Sequence, residues 1–152
     1  MSMIAASVGR ILLAVIFILA GIGKIADPAG TAQYIENTTT LPGSLALPTG
    51  IFELVCGLLL AVGFLTRIVS ILLAGFCLLT IFFFHNQFGD QTQMTMALKN
   101  LAIAGGLLVV FAYGQMRGSF DHMRAKSKTQ KAELKAARAE GKAEGLAKAK
   151  TD

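Results

Sequence analysis

Four long apolar segments separated by short polar stretches account for most of the first 113 residues of this chain. They extend over about residues 3–22, 45–65, 68–84 and 94–113, and each contains 17 to 21 residues. A helix of that length spans roughly 25–31 Å, close to the ~30 Å hydrocarbon core of a bilayer. Apolar residues occupy every face of the segments, and the alternation typical of strands is absent. The pattern therefore predicts an all-α integral membrane protein, a bundle of four spanning helices.

The first segment also has the basic residue and apolar run of a signal peptide. No small-x-small cleavage site follows it, so the sequence predicts an uncleaved anchor.

The basic residues of the connections predict the orientation of the bundle. Arg67 lies in the short second connection and the C-terminal tail is strongly basic, whereas residues 27–44 and 86–93 contain no Lys or Arg. Because basic connections stay on the cytoplasmic side, the N- and C-termini are both predicted to be cytoplasmic.

The sequence predicts a domain boundary near residue 121. Residues 1–121 form the transmembrane domain, with helices at about residues 3–26, 45–65, 68–85 and 94–114. Residues 122–152 form a basic cytoplasmic tail, disordered or partly helical, because its last 29 residues contain only two large apolar side chains, Leu134 and Leu146. We expect a solubilising tail near anionic lipid headgroups, with recruitment of a partner protein as the alternative.

Composition and charge exclude several functional classes. Hydrophobic residues make up 54% of the chain and charged residues 15%, and the whole net charge of +5 lies in residues 117–152. A water-soluble enzyme and a folded nucleic-acid-binding patch are therefore excluded. The two cysteines lack CxxC spacing, which excludes a disulfide framework and a zinc knuckle, and no metal site is predicted.

A few polar side chains inside or beside the apolar segments are the candidate functional residues. Five of them come from four different segments but share the outer third of the predicted membrane: Lys24, Glu53, His85, Lys99 and Asn100. A charge at the centre of a bilayer costs roughly 2.5–3.5 kcal/mol, so such groups need a partner or a function. The functional hypothesis is an outward-opening polar site with Glu53 as its central acid, suited to a quinone headgroup, an anion or a proton. The structural alternative is that Glu53 pairs with a lysine to hold the bundle together.

Small residues indicate how closely the helices approach. Cys56 and Cys77 fall at matching depth near the membrane centre, where we expect two packing residues rather than a functional dithiol. Seven glycines predict a compact bundle without a wide pore: Gly21, Gly23, Gly57, Gly63, Gly75, Gly105 and Gly106.

Several short motifs, in order and at regular spacing over about residues 8–121, resemble the DoxX family. They are Gly9-Arg10, Gly21 to Lys24, Asp27-Pro28, Gly50 to Glu53 with Gly57, Thr66-Arg67, His85-Asn86, Lys99-Asn100 with Gly105-Gly106, and Gly118 to Asp121. The resemblance implies a multi-pass protein of the bacterial inner membrane. It also implies that Arg10 and Arg67 are family motif residues with a structural role, alongside the five candidates.

The resemblance further implies an accessory subunit of a membrane redox system linked to a quinone or a sulfur compound. The chain itself carries no autonomous catalytic or cofactor motif, so its status as an enzyme is open, with no intrinsic cofactor and quinone as the candidate ligand. The expected partners are the lipid bilayer, a redox-enzyme subunit and a second copy of the chain, with no nucleic acid. The alternative functions are a membrane scaffold or assembly protein and a small solute transporter.

Overall fold

The structure is a computed structural model that describes residues 2–86, 88–113 and 120–148. Residue 114, the expected end of the fourth spanning helix, and residues Gly118 and Ser119 of the last motif lie outside these ranges.

The regular elements of the described residues are all helical. In chain order they are α1 (Ser2–Ala26), α2 (Pro28–Thr38), a short 3-10 turn (Gly43–Leu45), α3 (Ala46–Val62), α4 (Thr66–Phe84), α5 (Gln91–Ala112) and α6 (Phe120–Lys148). Helices α1, α3, α4 and α5 are long and apolar enough to cross a membrane. The prediction of an all-α membrane bundle with four spanning helices is confirmed.

Local sequence signals explain where the helices begin and end. Asp27 follows α1 and caps α2, because its carboxylate accepts a hydrogen bond from the Gly30 N–H at 2.9 Å while Pro28 occupies the first turn of α2. Gly63 ends α3 in the left-handed conformation with φ 77°. Asp90 caps α5 by accepting hydrogen bonds from the N–H groups of Thr92 and Gln93.

The spanning helices form two pairs, α1 with α3 and α4 with α5, and the contacts between the pairs are sparser. The α1–α3 pair is tight because glycines remove side chains from its interface. A Cβ atom on Gly21 would lie 2.6 Å from the Leu54 nitrogen and 2.7 Å from the Gly50 oxygen, and a Cβ on Gly57 would lie 3.0 Å from the Ile18 nitrogen. These glycines let the two backbones touch.

Not every glycine singled out in the sequence has this role. A Cβ atom on Gly23, Gly75 or Gly105 would meet nothing within 4 Å, and Gly50, which the glycine pattern omitted, lies in the tight interface. The sequence of an apolar helix does not show which side faces the neighbouring helix, because small residues are tolerated both against lipid and against protein.

A small buried core joins the two pairs near the middle of the bundle. It includes Ala14, Leu60, Leu73 and Leu107, all 0% exposed, together with both cysteines. Cys56 and Cys77 are buried free thiols in this core, as expected of packing residues. Many large apolar side chains on the outer faces are exposed, which suits contact with lipid tails.

Helix α6 continues the chain beyond the bundle. Residues 126–143 of α6 are all exposed, so this part of the helix contributes nothing to the core.

Candidate functional site

A cavity of about 470 Å³ lies between the two helix pairs, on the side of the bundle where α2 crosses it. Aromatic side chains from three helices line it: Phe17, Tyr34, Phe76, Phe83 and Phe84. The same cavity is lined by all five polar residues singled out in the sequence: Lys24, Glu53, His85, Lys99 and Asn100. The structure therefore brings these five side chains around one space, and their functional role remains a prediction.

Lys24 and Glu53 form an ion pair at the cavity wall supplied by α1 and α3. The Lys24 Nζ atom lies 2.5 Å from Glu53 Oε2, and the side chains are 29% and 6% exposed. Gly50 enables this contact, because a Cβ atom on Gly50 would lie 2.9 Å from the Lys24 Cβ. The close approach of α1 and α3 thus brings a lysine to a carboxylate that would otherwise be buried alone.

The opposite wall, supplied by α4 and α5, carries hydrogen-bonding groups and a second lysine. Asn100 Nδ2 donates to Thr80 Oγ1 at 3.0 Å. The contact made by Lys99 Nζ is with Met96 Sδ at 3.2 Å, and a thioether is a weak acceptor. The Lys99 ammonium is therefore poorly compensated compared with that of Lys24.

His85 closes the end of α4 beside the first turn of α5. Its Nδ1 atom lies 2.8 Å from Gln93 Oε1. Because a carboxamide oxygen only accepts, this assignment places the proton on Nδ1 and leaves Nε2 as the proton-accepting nitrogen.

Each of these polar contacts joins residues on the same side of the cavity. Lys24 bonds to Glu53 within the α1–α3 pair, whereas Asn100 and His85 bond within the α4–α5 pair and the segment joining its helices. Each contact thus stays on its own side of the cavity. A ligand can therefore occupy the space between the pairs without breaking the contacts that organise either wall.

Helix α2 and the segment after it form the roof of the cavity. Tyr34 stacks on Phe84 with ring centroids 5.9 Å apart and an interplanar angle of 7°. Glu36 Oε1 accepts a hydrogen bond from the Gly43 N–H at 3.0 Å and fixes the return of the chain. Sequence reasoning missed Tyr34 as a cavity residue. It also missed Thr80, whose hydroxyl inside an apolar segment was a detectable signal.

The two arginines of the sequence motifs lie at the other end of the bundle, away from the cavity. Arg67 Nε donates to the Phe111 carbonyl at 3.2 Å and Nη2 to the Ala112 carbonyl at 3.4 Å, which ties α4 to the end of α5. Arg10 is 4% exposed and lies within electrostatic range of Asp121. Its Nε and Nη1 atoms find no hydrogen-bond partner within the described part of the chain.

Asp121 fastens the start of α6 to the turn between α3 and α4, and we call this contact the Asp121 latch. Its carboxylate accepts hydrogen bonds from the Leu65 N–H at 3.1 Å, the Thr66 N–H at 2.8 Å and the Thr66 hydroxyl at 2.9 Å. Burial raises the pKa of this carboxyl, but the hydrogen bonds from Thr66 and Leu65 outweigh that effect and hold the pKa below its usual value. Sequence reasoning placed Asp121 in a motif and missed its role as a cap for α4.

The described residues contain no group of three or more His, Cys, Asp and Glu side chains placed to hold a metal ion.

Comparison with known proteins gives two matches. The family model described as DoxX matches residues 5–86. The inner membrane protein YqjF of Escherichia coli (strain K12) is 41% identical over 116 residues, which cover 76% of this chain and 88% of that protein. No solved structure matches the chain significantly.

Proposed function

Because this chain belongs to the DoxX family and is a multi-pass inner-membrane protein, we propose that it is an accessory subunit of a membrane redox system. The cavity between the helix pairs is its quinone-binding site. The observation that carries this proposal is one aromatic-lined cavity that collects all five polar side chains singled out in the sequence.

The size and lining of the cavity suit a quinone ring. Its volume of about 470 Å³ falls within the ~300–1,000 Å³ typical of small-molecule sites. Phe76 and Phe83 offer apolar faces for a planar ring, and aromatic pairs favour offset or edge-to-face packing. The ring would lie between the two helix pairs, where no polar contact has to be broken.

The polar groups of the cavity suit the carbonyl oxygens of a quinone. Lys99 offers an ammonium whose present contact is a weak sulfur acceptor, and Asn100 offers a carboxamide N–H. A charge-assisted hydrogen bond from Lys99 to a ligand oxygen is stronger than its contact with the Met96 sulfur. Lys99 and Asn100 would therefore orient the headgroup from the α5 wall.

Two further residues could hold the protons that quinone chemistry needs. A bound quinone supplies a two-electron, two-proton redox couple. Glu53 carries a carboxylate on the cavity wall, and His85 carries an accepting Nε2 nitrogen at its edge. We assign them to proton exchange with the bound headgroup.

The electrons would come from a partner subunit, because the sequence carries no haem, flavin or nicotinamide motif. This is the sense in which the chain is an accessory subunit rather than a complete oxidoreductase.

The test is the quinone content of protein purified from its own membranes in mild detergent, measured by native mass spectrometry and by solvent extraction. We expect a retained quinone, or a stoichiometric partner that carries flavin, haem or an iron–sulfur cluster. Lys99→Met should weaken quinone binding about 10-fold or more, as loss of a charge-assisted hydrogen bond does. Lys126→Met, which removes an exposed lysine from α6, is the matched control and should leave binding unchanged.

Three outcomes would contradict the proposal. Protein that retains only lipid, and does not bind added ubiquinone, has no quinone site. Quinone that binds equally to the Lys99→Met variant occupies another site. Solute flux in liposomes that Glu53→Gln abolishes would favour a transporter.

A further inference from the structure

Helix α6 carries its basic residues in a regular pattern that the cavity and its proposed function do not use. Six of them follow one another at intervals of four, three, four, three and four residues: Arg124, Lys128, Lys131, Lys135, Arg138 and Lys142. Residues at these intervals share one face of an α-helix. We call this row the α6 basic stripe, and it extends over roughly 27 Å of helix.

Beyond Asp121, which the latch holds, the acidic residues of α6 are segregated from the stripe. Glu133 and Glu140 lie seven residues apart, and each follows a stripe residue by two positions, which places both on the opposite face. Lys126 is seven residues before Glu133 and shares that opposite face. All three are exposed, as are the stripe residues from Lys128 to Lys142.

The row of like charges destabilises α6 when no other surface contacts it. Like charges at i, i+3 and i, i+4 repel each other by a few tenths of a kcal/mol per pair, and the stripe consists entirely of such pairs. From Lys128 to Lys142, no acidic residue lies on this face to relieve the repulsion. A polyanionic surface along this face would remove it.

We infer that the α6 basic stripe binds the anionic lipid headgroups of the membrane that the bundle spans. The Asp121 latch fastens the first turn of α6 to the turn that joins two spanning helices, so α6 begins at a face of the membrane. A straight stripe matches a planar charged surface, and anionic headgroups are the polyanion already present there. The stripe carries no row of large apolar residues, so α6 rests on the headgroups and does not insert between the acyl chains.

The experiment measures amide hydrogen exchange of the full chain in nanodiscs of phosphatidylcholine, with and without phosphatidylglycerol. We expect phosphatidylglycerol to slow exchange in α6 by about tenfold or more, and high salt to reverse the effect. Exchange in α1, α3, α4 and α5 should stay constant and serves as the folding control.

Two double variants, each of which exchanges a lysine and a glutamate without changing the composition, test which face of α6 binds the lipid. Lys131→Glu combined with Glu133→Lys keeps the net charge but interrupts the stripe. Since each basic residue at an anionic surface contributes about fivefold to partitioning, replacing one by an acid should weaken the partitioning of α6 onto phosphatidylglycerol about 25-fold, enough to abolish a tenfold slowing of exchange. Lys126→Glu combined with Glu133→Lys also keeps the net charge, leaves the stripe intact and should retain the effect.

The inference is overturned if phosphatidylglycerol does not slow exchange in the wild-type chain. It is also overturned if both charge exchanges leave the effect unchanged, because net charge rather than the stripe would then be responsible. Slowing by soluble polyglutamate but not by phosphatidylglycerol would replace the membrane with an acidic protein partner.

Discussion

The cavity end and the latch end of the bundle both bury charged side chains, but they connect the helices differently. At the cavity end, Lys24 and Glu53 bond to each other within the α1–α3 pair, and the other wall keeps its own hydrogen bonds. At the latch end, Asp121 joins α6 to the turn between α3 and α4, and Arg10 of α1 faces the same carboxylate.

This difference indicates which end can change shape. The contacts of the latch end join elements from both helix pairs, so separating the pairs there would break hydrogen bonds. Among the described residues, Lys24, His85 and Asn100 make their polar contacts within one pair, and a ligand can enter between the pairs.

Loss of the Lys24 ammonium should have the largest effect on stability at the cavity end. Lys24→Met leaves the Glu53 carboxylate, 6% exposed, without its partner. We expect the free energy of unfolding to fall by about 3 kcal/mol. This is the lower end of the range for a broken buried ion pair, because Lys24 itself is 29% exposed. The measurement is thermal unfolding in mild detergent.

A double variant separates the charge from the packing in that experiment. Lys24→Met combined with Glu53→Leu removes both charges, and we expect it to be more stable than Lys24→Met alone. If the double variant is as unstable as the single one, the ion pair is not what the mutation disturbs. We also expect Glu53→Leu to reduce accumulation in membranes less than Glu53→Gln reduces quinone binding.

The tight backbone contact that places Lys24 should be the next most sensitive feature. Gly21→Ala puts a Cβ atom 2.6 Å from the Leu54 nitrogen, so α1 and α3 must move apart. We expect a loss of about 2–3 kcal/mol in the same unfolding assay. Gly23→Ala, in the same helix but with nothing within 4 Å of its Cβ, is the matched control and should be neutral or slightly stabilising. Equal effects of the two substitutions would contradict the packing of α1 against α3.

At the other end, Asp121→Ala should cost about 2 kcal/mol, near the upper limit for a helix cap. The reason is that Thr66, 1% exposed, would keep a buried N–H and a hydroxyl without their acceptor. Asp90→Ala removes a purely local cap from α5 and is the matched control, at about 1 kcal/mol. Hydrogen exchange should rise in the first turn of α6 for Asp121→Ala only, and the same rise in both variants would exclude the latch.

The spanning helices could be predicted because the bilayer sets both their length and their composition. Depth along the membrane normal follows from position in an apolar segment, which is why Lys24, Glu53 and Lys99 could be placed at one level. Rotation about the helix axis does not follow, because lipid-facing and protein-facing sides are both apolar. The sequence therefore could not predict that α1 pairs with α3, or that the surroundings of Gly75 are open.

The latch could not be predicted for a related reason. Asp121 and Thr66 are 55 residues apart in the chain, and each alone is an ordinary polar residue at a segment boundary. Nothing in their spacing links them. The roof residue Tyr34 is a similar case, since its partner Phe84 lies on another helix.

The smallest expected effect is the pH dependence of the latch. Because hydrogen bonds from Thr66 and Leu65 lower the pKa of Asp121 in the folded chain, its contribution to stability is fully present above the usual aspartate pKa of about 4. That contribution is lost as the pH falls through the lower folded pKa, where the protonated carboxyl no longer accepts charge-assisted hydrogen bonds.

The measurement is the difference in unfolding temperature between the wild-type chain and Asp121→Asn as the pH is lowered from neutral. The difference in unfolding temperature between the two proteins should narrow below about pH 4. If the difference in unfolding temperature stays constant through that range, the charge of Asp121 does not stabilise the latch. The latch end of the bundle would then differ from the cavity end only in the geometry of its contacts.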